Sequence, residues 1–317
     1  MDDVAPEKPP LVAAVVLTWN DVEMASGCVQ SLLECDYPNL HVILVDNGSI
    51  EPCGERVKER FPGIELIVLP QNRGFTGGSN AGLRRGVELG AKYVQLYNND
   101  IVVEPGSVKA VVAEMESDPG LGACSPLLLG PDPGPDGDRH MFYGATLNRK
   151  LARHDNREVI YRDQAWPTVE SAFVPFCATI FRASMLRDLG YLDESLGTCW
   201  EDFDMCVRVQ DAGYRINVVG DARVVHFTSK TTGKRSPYII YYLTRNRMIC
   251  LARYNSKLSL LLHAPQIART YLWQLRGYGR DLESYRAFAR GARDFVLGRR
   301  GEDPATAQMR RDDRVSD

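Results

Sequence analysis

Apolar residues follow one another almost without interruption in four short stretches of the first hundred residues: VAAVVLTWN, HVILVDN, IELIVLPQN and KYVQLYNND. Strands that are covered on both faces of a parallel sheet show this continuous pattern, whereas half-exposed strands alternate. The segments between them, at 22–35, 55–61 and 78–90, have helical spacing and end near proline or glycine. This alternation predicts an α/β fold built on a doubly wound, mostly parallel sheet.

All four predicted strands end in polar side chains. The carboxyl ends of parallel strands lie at one edge of a sheet, and open α/β sheets bind their ligands just outside that edge. A single asparagine or aspartate there is an ordinary turn residue, but four such ends together predict a polar floor for a polar ligand. The strand ends are Trp19-Asn20, Asp46-Asn47, Gln71-Asn72 and Asn98-Asn99-Asp100.

The pattern changes after Gly120. A strand that continues into a helix is predicted over 172–190, a helix with an acidic first turn over 200–216, and a further strand that ends at His226. We therefore predict one catalytic domain at 11–236, with a donor half at about 11–104 and an acceptor half at about 120–236. Residues 1–10 are predicted to be flexible, 237–300 to be helical, and the charged tail 301–317 to be disordered.

Composition narrows the function classes. The chain has 317 residues and a formal net charge of -3, so its bulk charge does not point to nucleic acid. The first residues, MDDVAPEKPP, are acidic and lack an apolar core, and the eight cysteines form no C-x-x-C pair. We expect a cytoplasmic protein with reduced thiols. The stretch 269–300 is basic, which fits either peripheral contact with the inner face of an anionic membrane or a solvated or homodimer-forming helix pair.

Several acidic and glycine residues in these segments suit the binding of a nucleotide. Asp100 can hold a hard divalent cation, and Asp46 can accept a hydrogen bond from a base N–H. The glycine-rich NRGFTGGSNAGL at 72–83 precedes a helix, where free backbone N–H groups suit a diphosphate or a sugar hydroxyl. Three acids crowd the start of the 200–216 helix, and two interpretations stay open. They either complement the helix dipole, or one of them, Asp202, is a general base.

The ordered motifs VLTWN, ILVDNGS, NRGFTGGSNAGL, YNND, EDFDMCVRVQDAGYRI and VVHF resemble the family 2 glycosyltransferases with the GT-A fold, in particular the bacterial rhamnosyltransferase-like members. The resemblance covers about residues 12–254. It implies an inverting transfer from a nucleotide-diphosphate sugar (dTDP-, UDP- or GDP-linked) that depends on Mg²⁺ or Mn²⁺. The acceptor is left open as a carbohydrate, a lipid-linked intermediate or a small natural product.

The resemblance also implies roles for single residues. Asp202 would be the catalytic base with Glu201 beside it, and Asp100 with His226 would hold the metal. Trp200, Cys177 and Thr179 are predicted to line the pocket for the acceptor and the sugar. The predicted contacts to the donor nucleotide come from Thr18, Asn20, Asp46, Asn47, Asn72, Gly74, Phe75, Asn80, Asn98 and Asn99.

Two departures from the family pattern stand out. The first position of the acidic metal motif is Asn98, so only Asp100 supplies charge there. The stretch FVPFCAT replaces the glycines that often precede the acceptor helix. Two other functions stay open: sugar nucleotidyl transfer, which should show a basic glycine-rich loop after the first strand, and non-catalytic binding of a nucleotide sugar.

Overall fold

The computed structural model describes residues 8–131, 138–227, 236–277 and 281–302. Residues 1–7 and 303–317, which make up most of the predicted flexible N-terminus and disordered tail, lie outside the described residues. The donor half contains β1 (Val12–Thr18), α1 (Val22–Leu33), β2 (Leu40–Asp46), α2 (Cys53–Arg60), β3 (Glu65–Val68), α3 (Gly74–Glu88), β4 (Tyr93–Asn98) and β5 (Ile101–Val103).

The rest of the described chain adds a second set of strands and the C-terminal helices. These are α4 (Ser107–Ser117), β6 (Leu121–Leu129), β7 (His140–Asn148), β8 (Arg153–Ile160), β9 (Val169–Glu170), β10 (Ile180–Arg182), α5 (Ala183–Leu189), α6 (Glu201–Asp211), β11 (Arg215–His226), α7 (Pro237–Tyr254), α8 (Lys257–Gly277) and α9 (Leu282–Val296). A 3₁₀ turn at Arg149–Leu151 joins β7 to β8.

One sheet organises the described residues, in the order β3-β2-β1-β4-β10-β6-β11-β5. The first four strands are parallel, with Thr18 opposite Asp46 and Leu17 opposite Asn98, so their polar ends meet at one edge as predicted. The second half is mixed, since β10 runs antiparallel to both β4 and β6. Strand β3 was expected to be covered on both faces, but it lies at the sheet edge and Val68 is 50% exposed.

Helix α3 lies unusually close to the sheet because glycines recur at every fourth position. A Cβ at Gly82 would stand 2.2 Å from Val15 Cγ1, and one at Gly86 would stand 2.8 Å from the Ala13 Cβ. Gly78, expected to expose backbone to a ligand, instead packs against Leu17. Gly78, Gly82 and Gly86 therefore serve helix–sheet packing, and Gly74 remains a candidate for ligand approach.

Helix α7 is buried on most sides and carries two arginines in the interior. Arginines on a helix are normally solvated, but Arg245 and Arg247 are only 1% and 2% exposed. Arg245 donates to the carbonyls of Leu196 and Gly301, and Arg247 donates to those of Leu151 and Ala152. Arg245 thus ties α7 to the loop before α6 and to the segment after α9, and Arg247 ties it to the turn between β7 and β8.

Asp204 supports this packing from the first turn of α6. Its fully buried carboxylate is bonded by Arg208 at 2.9 Å, by Tyr254 at 2.5 Å and by Arg253. Asp204→Ala should lower the free energy of unfolding by about 1–3 kcal/mol, because it removes a fully buried acceptor that Arg208, Arg253 and Tyr254 share. Chemical denaturation measures the loss.

The matched control is Glu23→Ala, which removes the carboxylate of an exposed pair with Arg60. An exposed pair contributes little to stability, so this variant should keep the wild-type midpoint. Equal losses in the two variants would contradict the role assigned to Asp204.

Candidate functional site

The carboxylate of Asp46 is buried at the end of β2 and is already bonded to the chain. Its Oδ1 accepts from the Ser49 N–H and its Oδ2 from the Gly54 N–H, both at 2.8 Å. These bonds close the loop between β2 and α2 around the carboxylate. A carboxylate oxygen has two lone pairs, so contact with a base stays a prediction that must use the second lone pair.

The predicted donor residues at the other strand ends lie together and bond to one another. Asn47 Nδ2 donates to the Gly74 carbonyl at 2.9 Å, and its Oδ1 accepts from the Arg73 N–H. The Asn72 Oδ1 accepts from the Gly74 N–H at 2.8 Å, while its Nδ2 is buried without a partner among the described residues. Buried donors are normally satisfied, so Asn72 is the member of this group that fits a ligand best.

Residues at the ends of β1 and β4 complete this polar edge. Asn20, at a positive φ of 56°, accepts from the Ile50 N–H at 2.7 Å, and Asn99 Nδ2 donates to Thr18 Oγ1 at 3.3 Å. The Asn98 N–H donates to the Cys177 carbonyl, which joins β4 to the segment before β10. Their contacts to a donor nucleotide remain predictions.

The structure assigns Asn80 to packing rather than to the donor. It lies fully buried in α3, where its Nδ2 donates to the Leu192 carbonyl and to Glu194, and its Oδ1 accepts from the Leu192 N–H. Both ends of the amide are therefore used. The predicted donor contact of Asn80 is not supported.

Gly74 does lie where only a glycine fits. Its φ is +70°, and a Cβ there would stand 2.7 Å from the Gly197 carbonyl oxygen. The start of α3, with the half-buried Phe75 next along the chain, is thereby pressed against the loop at 193–200, which leads into α6. Because Thr76 also donates to Gly197 at 2.9 Å, the donor half and the acceptor half meet at this point.

Asp100 and His226 lie side by side, although they are far apart in the sequence. The His226 Nε2 is 3.3 Å from Asp100 Oδ1, and the Phe227 N–H donates to the Asp100 carbonyl. Burial of the imidazole lowers the pKa of His226, but the neighbouring Cys177 and Asp100 raise it by more, to about 10. The imidazole thus favours the protonated form beside the Asp100 carboxylate, and a metal ion that takes His226 as a ligand must displace this proton.

The donor set at this pair suits a metal that takes most of its ligands from elsewhere. Within the described ranges, no three His, Cys, Asp or Glu side chains cluster as a metal site. One carboxylate with one imidazole fits a divalent ion whose remaining ligands are diphosphate oxygens and water. Asp100 Oδ1 is buried and has only the 3.3 Å contact to His226, so it is available as a ligand.

Cys177 and Thr179, both predicted for the acceptor pocket, lie in different surroundings. Cys177 is 6% exposed and adjoins His226, on the metal side of the site. Thr179 is fully buried, its hydroxyl donates to the Pro175 carbonyl, and its own carbonyl accepts from Leu96. The pocket prediction for Thr179 is therefore not supported, since the residue belongs to the pairing of β4 with β10.

The acidic start of α6 follows two residues in the left-handed region. Cys199 has a φ of 61° and Trp200 a φ of 71°, a conformation that non-glycine residues adopt at a cost of about 1–3 kcal/mol each. Asn246 of α7 holds the loop in this shape, because its Nδ2 donates to the carbonyls of Leu196, Thr198 and Cys199. Backbone strain that is over-determined in this way clusters at functional sites.

Glu201 and Asp202 are adjacent carboxyls in different surroundings. Burial, with a smaller effect of the Asp202 charge, raises the pKa of Glu201 well above its ordinary range, and Glu201 Oε2 is buried without a partner among the described residues. Burial also raises the pKa of Asp202, and His154 offsets part of that rise. Asp202 Oδ1 accepts from the Phe203 N–H at 2.7 Å, as dipole complementation predicts, but the raised pKa is typical of an acid–base residue.

His154 was not among the site residues predicted from the sequence. It lies on β8, stacks on Phe173 with ring centroids 4.0 Å apart, and meets Trp200 edge-on at 6.5 Å. No local pattern marks it, since the hairpin that carries it reaches the site only through tertiary packing. Trp200 donates its indole N–H to the Leu243 carbonyl at 3.1 Å and packs edge-to-face with Phe203 at 5.2 Å between ring centroids, and its stacking on a sugar stays a prediction.

The segment that contains Phe173 and Cys177 connects the two chemical groups. Phe173 stacks on His154 on the side of Asp202, and Cys177 adjoins His226 on the side of Asp100. Four residues of extended chain span at most about 14 Å. His154, whose charge acts on Asp202, and His226 therefore contact the two ends of one short segment.

A family model described as "Glycosyl transferase family 2" matches residues 13–190. The chain belongs to this family. The match covers the donor half and the sheet as far as α5, and it identifies the chain as a glycosyltransferase rather than a sugar nucleotidyltransferase or a non-catalytic binding protein. The resemblance inferred from the motifs is confirmed.

Curated relatives agree with the rhamnosyltransferase-like character. The dTDP-rhamnosyl transferase RfbF of Shigella flexneri is 23% identical over 254 residues, which cover 76% of this chain and 80% of the relative. The N-acetylglucosaminyl-diphospho-decaprenol L-rhamnosyltransferase of Mycobacterium tuberculosis is 25% identical over 216 residues, or 61% of this chain and 68% of the relative.

Solved structures confirm the GT-A fold. A mannosyltransferase from Pyrobaculum calidifontis, in complex with GDP-Man and Mn²⁺, superposes with a TM-score of 0.54 at 18% identity, covering 98% of this chain and 81% of that one. Among the described residues, none of the helices is both long and apolar enough to cross a bilayer.

The buried carboxyl of Glu201 generates a prediction for stability. A carboxyl whose pKa is raised on folding stabilises the protein fully below its ordinary pKa of 4.5, and this contribution is lost as the pH rises toward the folded pKa. Glu201→Gln should therefore be more stable than the wild type at pH 8, by at least ~1 kcal/mol, with the gap closing toward pH 4. Denaturant midpoints across this pH range measure it.

Glu158→Gln, on the exposed strand β8, is the control and should follow the wild type at every pH. A gap for Glu201→Gln that stays constant with pH would contradict the burial of a protonated acid at this position.

Proposed function

We propose that this glycosyltransferase moves a sugar from a nucleotide-diphosphate donor to an acceptor hydroxyl with inversion, using Asp202 as the general base and a divalent ion at Asp100 and His226. The observation that supports the proposal is that His154, which acts on an Asp202 carboxyl of raised pKa, and the Asp100–His226 pair adjoin the two ends of the segment from Phe173 to Cys177. Asp202 can accept a proton there, while the pair faces the developing charge of the leaving group.

Asp100 and His226 are the residues that would hold the ion. Mn²⁺ or Mg²⁺ bound there would supply neutralisation of the charge that develops on the departing diphosphate. The Mn²⁺ in the related mannosyltransferase complex supports a divalent ion of this kind. Asn98 in place of an acid leaves a single carboxylate, so we expect the ion and the donor to bind together rather than separately.

Asp202 would remove the proton of the acceptor hydroxyl as its oxygen attacks the anomeric carbon. The attack comes from the face opposite the leaving diphosphate, so one displacement inverts the configuration and requires one base. Glu201 is not expected to act as the base, because its buried carboxyl favours the protonated form. A neutral Glu201 places no second negative charge beside Asp202. His154 would help to keep Asp202 ionised.

The names of the relatives support a choice of substrates to test. RfbF is named for a dTDP-rhamnosyl donor, and the mycobacterial enzyme for an N-acetylglucosaminyl-diphospho-decaprenol acceptor. We propose dTDP-rhamnose as the first donor and a carbohydrate on a lipid diphosphate as the first acceptor, with UDP- and GDP-sugars as the alternatives.

The assignment of Asp202 as the base predicts a loss of transfer activity. Asp202→Asn should reduce transfer by roughly 10²–10⁴-fold, the usual contribution of general base catalysis, while the donor nucleotide still binds. The wild-type rate should rise with pH through the elevated pKa of Asp202, and the variant should lack this limb. Release of nucleoside diphosphate in the presence of acceptor measures the rate.

Asp211→Asn provides a matched control, since Asp211 ends the same helix and pairs with Arg149 on the surface. It should keep wild-type turnover. Unchanged turnover in Asp202→Asn would eliminate the base assignment.

The second prediction concerns the metal and the donor. One of dTDP, UDP or GDP should raise the thermal midpoint only when Mn²⁺ is present, and at a hundredfold its dissociation constant it should add about 2.7 kcal/mol of stability. Asp100→Ala should abolish this shift. Asp155→Ala, which changes an exposed carboxylate on β8, should keep it, and an undiminished shift in Asp100→Ala would exclude Asp100 as a ligand.

A further inference from the structure

Helix α8 exposes two groups of large apolar side chains on one face, and the proposed reaction does not use them. Large side chains recur along it at intervals of three, four and eleven residues, which place them on one face of a helix. Five of them are between 55% and 74% exposed: Leu258, Leu261, Leu262, Leu272 and Trp273. Such a patch on a single element indicates an interaction surface, because isolated exposed apolar residues do not line up in this way.

The opposite face of α8 is the one that rests on the protein. Leu260, Ile267 and Tyr271 are partly buried against the main core, and α8 lies over the 3₁₀ turn at Arg149–Leu151. At 3.6 residues per turn these three positions point away from the exposed face. The helix is therefore apolar on two faces, of which packing explains one.

The charge of α8 is entirely positive. Its sequence, KLSLLLHAPQIARTYLWQLRG, contains Lys257, Arg269 and Arg276 and no aspartate or glutamate. Arg269 lies on the same face between Leu262 and Leu272, and Arg276 follows one turn later. Both arginines are exposed. A partner for this face must therefore present both an apolar region and negative charge.

We propose that α8 docks on an anionic lipid surface, with the leucines and Trp273 below the phosphate level and Arg269 and Arg276 at the phosphates. An amphipathic helix that lies in the plane of the interface binds through buried apolar area plus attraction to anionic lipids. Trp favours the boundary between headgroups and acyl chains. The helix would lie on the membrane, and this inference does not depend on the proposed reaction.

A second copy of the chain fits this face less well than lipid. In a two-fold interface the same patch meets itself, so the arginines of both copies would be brought together without an acid on either α8. Burying unpaired like charges is costly. The homodimer alternative for this region is therefore disfavoured by the charge pattern of α8.

The structure also relocates the membrane prediction made for 269–300. Helix α9 packs against α7: Ser284, Ala287 and Asp294 are buried, and Gly291 lies so close that a Cβ would be 2.7 Å from the Tyr241 carbonyl oxygen. The basic residues of α9 are thus carried by a helix that is already packed. The large apolar side chains that α9 exposes most, Leu282 and Val296, lie at its two ends, whereas α8 presents exposed apolar side chains along one face from 258 to 273.

Vesicle flotation with the full chain tests the proposal. Wild-type protein should float with vesicles of phosphatidylcholine and phosphatidylglycerol and much less with phosphatidylcholine alone. The double variant Leu261→Glu, Trp273→Glu should bind at least about tenfold more weakly, because it places charge in the apolar layer. Arg269→Gln and Arg276→Gln should each weaken binding to the anionic vesicles about fivefold.

Leu33→Glu is the matched control, since Leu33 is a 50% exposed leucine at the end of α1. It should float like the wild type, and circular dichroism should show that all variants are folded. The absence of wild-type flotation, or flotation that the α8 variants leave unchanged, would overturn the proposal. A wild-type dimer in light scattering that Leu261→Glu, Trp273→Glu converts to monomer, without vesicle binding, would assign the face to a second copy.

Discussion

The hydrogen bonds from Asn246 to three carbonyls of the 193–200 loop are the constraint on which the candidate site depends. The loop must turn sharply before α6, and it does so through Cys199 and Trp200 in a conformation that is unfavourable for both. A single buried amide offsets part of this cost, since it gives Leu196, Thr198 and Cys199 a partner. The first turn of α6, and with it Asp202, is placed by a residue of α7 that touches none of the reacting groups.

The same loop joins the two halves of the domain. On one side its Gly197 carbonyl accepts from Thr76, and Glu194 pairs with Arg73 and Arg84 of the region around α3. On the other side it is bonded to Asn246 and Arg245 of α7. A displacement of the loop would therefore move the polar strand ends and the acidic helix together. This coupling explains why Asn80 and Thr76, on the donor side, are committed to packing.

The strands that were predicted correctly are those whose burial shows in the local pattern of apolar residues. Strands β1, β2 and β4 are buried on both faces, so their side chains are apolar without interruption, and their ends must be polar where the sheet meets a ligand. What escaped prediction depends on contacts between distant residues. Thr179 can be buried because its hydroxyl donates to the Pro175 carbonyl within a tight turn. Arg245 can be buried because the carbonyls of Leu196 and Gly301 accept its hydrogen bonds. His154 acts on Asp202 only because the β7–β8 hairpin brings it near the site. The spacing of Gly78, Gly82 and Gly86 was a local signal for close packing on β1.

Two neighbouring carboxyls with different surroundings give the acidic motif its chemistry. Glu201 Oε2 is buried without a partner among the described residues, and burial raises the pKa of Glu201 well above its ordinary range, whereas the field of His154 offsets part of the rise at Asp202. If both were ionised, each would raise the pKa of the other. Keeping Glu201 neutral removes that repulsion, and Asp202 can then act as the proton acceptor of the pair. Burial raises the pKa of both carboxyls, so the difference comes from the charges around them: Asp202 and Asp204 raise the pKa of Glu201 further, whereas His154 lowers that of Asp202.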